Sequence, residues 1–278
     1  MLLSKLLKNC IYIIILLSFF GCKGQKNDTQ FKSMPNNTTM KAMDSKTDNG
    51  FILINEASKY LGKPYVAGSL DKEEIEQLTI DTSGFDCYTL VETVVAKSTL
   101  PSDIANKIQQ LRYRDGVIKD YTSRIHYFLE WIYENSKNGI LQDVTSSFEC
   151  AQPYAFDVHY MSSNPKKYQQ LDKNPDLVTE IKSYENKINH LKFQYIPKNI
   201  LSTCTKKIKS GDIIAITTNI KGLDISHVGF AYWQQGKLKL LHASTDEKQV
   251  VISQKPLTEY LMKNKKQTGI IVLRLKNI

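Results

Sequence analysis

Apolar spacing changes period once along this chain, and that change limits the fold more than any other feature. Between residues 51 and 138 the large apolar residues recur three and four apart, in blocks at 51–61, 90–96, 103–114 and 124–138. Gly62, Asp115-Gly116 and Gly139 stand where such helices would stop. From 211 onward the pattern becomes short, β-branched and alternating. It predicts strands over 211–218, 225–233, 237–243, 250–253 and 270–274. Helices first and an antiparallel sheet after them imply an α+β fold. Residues 63–68 read as loop with a short extended piece, and 73–79 as exposed and charged. The stretch 164–191 is charged, broken at Pro175, and reads as surface helix.

The first 22 residues belong to another environment. Lys5 and Lys8 precede a nearly unbroken apolar run over 11–20, which ends at Gly21-Cys22. That run is too short to span a bilayer, so it reads as an export signal. Apolar run, Gly-Cys and then polar sequence resemble a bacterial lipoprotein signal, which implies lipidation of Cys22. The alternatives are a leader cleaved elsewhere and an uncleaved anchor. Residues 23–50 are rich in Asn, Thr, Lys, Asp, Gln and Ser, and read as a flexible tether. The remainder, 51–278, is expected to form one domain on the envelope side of a membrane, facing the periplasm or the cell surface.

The formal net charge is +9, and loss of Lys5 and Lys8 with the leader brings it to +7. A basic exported surface suits anionic cell-wall polymers. No basic cluster carries interleaved aromatics, so nucleic acid is not an expected partner. Of the five cysteines, Cys10 leaves with the leader and Cys22 would carry lipid. Cys150 and Cys204 are either bridged, as an oxidising compartment permits, or two separate buried thiols.

Cys87 is the candidate nucleophile. It lies in Thr82-Ser83-Gly84-Phe85-Asp86-Cys87-Tyr88-Thr89-Leu90-Val91-Glu92, where turn residues run into a helix-spaced block. With Ser83 or Asp86 as cap, Cys87 would occupy the first turn. Free N–H groups and the helix dipole there favour the thiolate and can hold an oxyanion. His227 and His242 fall in two strands joined through Tyr232-Trp233-Gln234-Gln235-Gly236-Lys237. A four-residue loop sets the two histidines opposite each other, and a two-residue loop makes them diagonal neighbours on one face. An imidazole pair beside a thiol supplies nucleophile, base and orienter. One cysteine and two histidines could also ligate zinc, but no closely spaced ligand pair is present, and no metal or organic cofactor is expected.

Several motifs occur in a fixed order: Gly62-Lys63-Pro64-Tyr65, Asp86-Cys87, Gly211-Asp212-Ile213-Ile214, His227-Val228-Gly229 and His242-Ala243-Ser244. This order resembles the NlpC-like cell-wall cysteine hydrolases, which are papain-like. Tyr65-Val66-Ala67-Gly68-Ser69-Leu70-Asp71, Asp86-Cys87-Tyr88-Thr89-Leu90-Val91-Glu92, Ser123-Arg124-Ile125-His126-Tyr127-Phe128 and Gly222-Leu223-Asp224-Ile225-Ser226-His227 are similar to their N-acetylmuramoyl-L-alanine amidase-like branch. The resemblance implies Cys87 as nucleophile, His227 as base and His242 as third member. It implies Tyr65 facing the nucleophile and Asp86 as a substrate contact, with helix capping as the alternative. Tyr88-Thr89 stand where NlpC-like peptidases more usually have Ser-Gly. Arg124 and His126, expected at a helix start, could meet the lactyl or muramyl group, or serve as a surface cap and a partly buried ring. The implied substrate is peptidoglycan or a muropeptide, cut between N-acetylmuramic acid and L-Ala. Rival expectations are a stem-peptide endopeptidase, a cell-wall-binding lipoprotein without turnover, and a thiol acyltransferase or lipase.

Overall fold

The computed structural model describes residues 49–276. The leader, the Cys22 lipid site and the tether up to residue 48 lie outside the described residues. Asn49 and Gly50, read in sequence as the last residues of the tether, belong to helix α1 (Asn49–Ser58). The helices α2 (Cys87–Thr99), α3 (Ile104–Arg112) and α4 (Phe128–Lys137) follow. Strands β1 (Leu141–Asp143) and β2 (Gln152–Tyr154) come next, then α5 (Tyr160–Ser163), α6 (Gln169–Lys173) and α7 (Pro175–Asn189). Pro175 is the first residue of α7, where its missing N–H costs nothing. What reads in sequence as one broken helix is therefore a helix start.

The sheet strands are β3 (Phe193–Pro197), β4 (Ile213–Thr218), β5 (Ile225–Gln234), β6 (Lys237–Ser244), β7 (Gln249–Ile252) and β8 (Gln267–Leu275). A further helix, α8 (Leu257–Lys263), precedes β8. The sheet order is β2-β3-β8-β4-β5-β6-β7, with β1 paired to β8, and every pairing is antiparallel. This is the α+β architecture expected from the sequence.

Each face of the sheet has its own core. Ile213, Ala215, Val228, Phe230, Leu241 and Ile271 pack with α2 and α4 through Leu90, Val94 and Trp131. Ile214, Ile216, Ala231, Leu240 and Val272 pack with Leu257 and Leu261 of α8. The nucleophile helix and α8 thus lie on opposite faces of the same central strands. Cys150 and Cys204 are joined in a disulfide.

Candidate active site

Cys87 is the first residue of α2. Asp86 caps the helix: its carboxylate accepts from the Thr89 N–H at 2.7 Å, and its own N–H donates to Thr89 Oγ1 at 3.1 Å. This reciprocal cap satisfies two backbone donors and fixes the angle at which the chain enters the helix. Of the two caps foreseen, Asp86 is the one used. Ser83 instead bonds Asp81.

The turn before Cys87 is clamped on its other side. Residues 64–66 run beside 84–86, with Phe85 donating to the Pro64 carbonyl and Val66 to the Phe85 carbonyl. A Cβ on Gly84 would stand 2.4 Å from the Val66 side chain, so this close approach requires glycine. The 62–65 strip also bonds Lys248 and Val250, extending the sheet past β7. Tyr65 is thereby held between the sheet edge and the nucleophile turn, within electrostatic reach of Cys87 and Asp86. Burial first, and then those two groups, push its phenol up to about 12.

The β5–β6 hairpin closes with a two-residue loop, Gln235-Gly236, in which both residues have positive φ (50° and 72°). That is the hairpin turn matched to the twist of the strands. It makes His227 and His242 diagonal neighbours, and the rings meet: His227 Nε2 and His242 Nδ1 are 2.6 Å apart, with the ring planes nearly perpendicular. Gly229 underlies this contact, since a Cβ there would lie 2.8 Å from His242 Cβ. Because Nε2 of His227 is used on His242, Nδ1 is the ring nitrogen left for a reacting proton.

Cys87 reaches the same strand from the α2 side. The N–H groups of Val228, Cys87 and Tyr88 favour its thiolate, yet burial and then the Asp86 charge outweigh them and push the thiol up to about 12. The helix position predicts a lowered pKa, and burial reverses the sign. His227 is held down to about 4 by burial, with the Asp246 carboxylate opposing weakly. His242 is held down to about 3 by burial and by His227. At neutral pH the three groups therefore rest as neutral thiol and neutral imidazoles.

Arg124 and His126 lie away from the expected helix start. They occupy extended chain three and one residues ahead of the α4 cap, held by Ile125 donating to the Arg112 carbonyl. Arg124 is buried, bonds the Leu70 carbonyl at 3.0 Å, and pairs with Asp71 and Glu76. It clamps the loop that follows Tyr65. His126 Nε2 donates to the Tyr121 carbonyl at 2.7 Å, and its ring packs against Tyr121. His159 and His190 bond local groups, Ser163 Oγ and the Asn186 carbonyl.

A cleft of about 550 Å³ opens beside His242, lined among others by Asp246, Tyr260, Lys263 and Gln267. Nothing in the apolar pattern marks Tyr260, because it sits in a short helix between two strands. A second cleft of about 650 Å³, around Arg114, Glu130 and Tyr184, holds none of the candidate residues. Among the described residues, no three His, Cys, Asp or Glu side chains are arranged to hold a metal.

The match to known proteins agrees with this fold. The family model for AmiA-like, N-acetylmuramoyl-L-alanine amidase-like proteins covers residues 56–270. The chain belongs to this family. A solved N-acetylmuramoyl-L-alanine amidase from Bacteroides uniformis ATCC 8492 is 42% identical, with a TM-score of 0.79 over 82% of this chain and 99% of that one. A protein from Bacteroides fragilis described as a putative xylanase is 38% identical, with a TM-score of 0.77 over 80% and 100%. A Legionella pneumophila protein assigned to a family of unknown function is 25% identical, with a TM-score of 0.63 over 82% and 89%. No curated protein matches the chain. Glycoside hydrolysis calls for a facing carboxylate pair, whereas the candidate residues of this chain are a thiol and two imidazoles.

Proposed function

We propose that this member of the amidase-like family is a cysteine hydrolase that cuts the amide bond between N-acetylmuramic acid and L-Ala in peptidoglycan or muropeptides. The observation that carries the reading is the 2.6 Å contact between His227 of β5 and His242 of β6, next to the Val228 N–H that acts on the Cys87 sulfur, within an amidase-like family. His227 Nδ1 takes the thiol proton as the sulfur attacks the substrate carbonyl. The N–H of Cys87 can donate to the oxyanion, and the Tyr65 phenol, neutral at physiological pH, can donate to the same oxygen. The imidazolium then returns its proton to the leaving amine, and a thioester remains on Cys87. Water deprotonated by His227 opens the thioester and frees the lactyl carboxylate. His242 accepts from His227 Nε2–H throughout and fixes the tautomer.

Residues 1–22 are proposed to deliver the domain through a lipid on Cys22. The Cys150–Cys204 disulfide is of the kind that persists in such an oxidising compartment.

Wild type and Cys87→Ala incubated with muropeptides, with products identified by mass spectrometry, test this reading. Expected is a Cys87-dependent lactyl carboxylate together with a peptide beginning at L-Ala. A new amine inside the stem peptide would favour the endopeptidase. Absence of any Cys87-dependent product from both sacculi and short fragments would leave a binding protein.

A further inference from the structure

His242 is the group on which the order of the imidazole pair depends, and three neighbours surround it. Below it lies the backbone of Gly229, too close for any side chain. On one side is His227, with ring centroids 4.8 Å apart. On the other is Tyr260, at 5.4 Å and again nearly perpendicular. The three rings form a row across the sheet, and α8, anchored by buried Leu257 and Leu261, brings in the last of them. The side chain of the buried Gln267 lies beside the Tyr260 hydroxyl.

We propose that Tyr260 is a positioning residue of this site, whose ring holds the plane of His242 and, through the 2.6 Å contact, the direction of the base His227. Imidazole Nδ1 must point along one line to receive the His227 N–H. The Cβ of His242 packs over the Gly229 backbone, and on the cleft side its ring is flanked by Tyr260. Without that ring the cleft beside His242 would enlarge, water would enter, and His242 could turn away. His227 would then lose its fixed tautomer, and the Nδ1 assigned to take the thiol proton would be a donor part of the time. The ring does this work, not the hydroxyl.

The inference rests on the cysteine hydrolase reading, so its test needs a readout that does not depend on the substrate. The second-order rate at which iodoacetamide alkylates Cys87, located by peptide mass spectrometry, reports how well His227 removes the thiol proton. His227→Ala is expected to slow this rate by about tenfold or more, as loss of a general base does. Tyr260→Leu is expected to slow it by about threefold to tenfold, while Tyr260→Phe keeps the wild-type rate. With muropeptide as substrate, Tyr260→Leu should lower kcat by about tenfold with KM nearly unchanged, the pattern of a group acting on the chemical step. Thermal unfolding run alongside identifies simple loss of fold. Wild-type alkylation by Tyr260→Leu overturns the proposal and leaves the hydrolase standing. Raised KM with unchanged kcat does the same, because Tyr260 would then contact substrate. Wild-type alkylation by His227→Ala removes the base itself and overturns both.

Discussion

At the scale of single residues, burial sets the chemistry of this site more than charge does. A thiol at the start of a helix is ordinarily acidified by the dipole and by unpaired N–H groups. Here three such N–H groups face the Cys87 sulfur, yet loss of solvent and the neighbouring Asp86 carboxylate raise it to about 12. The resting enzyme is therefore expected to hold a neutral thiol, with its proton leaving as the sulfur attacks. Thiolate absorbance near 240 nm, taken as wild type minus Cys87→Ala, should show no step between about pH 5 and 9. A step below pH 7 would establish a preformed ion pair. With His227 at about 4, kcat/KM should be level through neutrality and fall only as pH drops toward that value. Stability carries the opposite face of the same shift. The unfolded histidines take up protons near pH 6.5, while the folded pair refuses them until about 4 and 3. Unfolding free energy is therefore fully present above 6.5 and declines as pH falls toward 4. Replacing both histidines with glutamine should flatten that decline in a urea titration.

At the scale of elements, what the sequence disclosed depended on whether the cause was local. The β5–β6 hairpin was legible because Gln235-Gly236 and the alternation on either side are contiguous signals, and the diagonal histidine pair followed from counting. The start of α4 was not legible. Leu129 N–H is capped by the Asp224 carboxylate, 95 residues away, so the apolar spacing from 124 onward continues ahead of the helix itself. α8 and its Tyr260 were missed for a similar reason: seven residues give too few turns for a period, and the helix is held by packing on β6 and β8. Arg124 shows how a residue marked for substrate is occupied otherwise. Buried beside Glu76, it fixes the irregular loop at 70–76 that follows Tyr65, with Tyr113 bonding the same carboxylate. Arg124→Leu leaves Glu76 buried without its cation and should cost about 3–5 kcal/mol. Faster proteolysis within 70–80 should accompany the loss in chemical denaturation. If KM instead rises while stability holds, Arg124 is a substrate contact after all.

At the scale of the described residues, the candidate site is assembled from both faces of one sheet and from early and late segments of the domain. α2 delivers the thiol from the helical face, β5 and β6 carry the imidazoles, α8 closes the opposite face, and the 62–66 strip joins the β7 edge to the nucleophile turn. Rigidity of the sheet is thus what keeps these groups in register, and the disulfide contributes to it. It joins Cys150, just before β2, to Cys204, in the connection from β3 to β4, across 54 residues. Closing a loop of that length removes unfolded-chain entropy equivalent to about 4 kcal/mol. The bond lies on the α8 side, with Val144, Phe148, Leu201 and Ile208, and Cys87 is on the other. Reduction, or the Cys150→Ser/Cys204→Ser pair, should therefore lower the melting temperature by on the order of 10 °C for a domain of this size. Turnover at 25 °C should persist, because neither cysteine touches the thiol or the imidazoles. Differential scanning calorimetry alongside muropeptide turnover separates the two effects. Loss of turnover with an unchanged melting temperature would mean that this corner of the sheet reaches the active site directly.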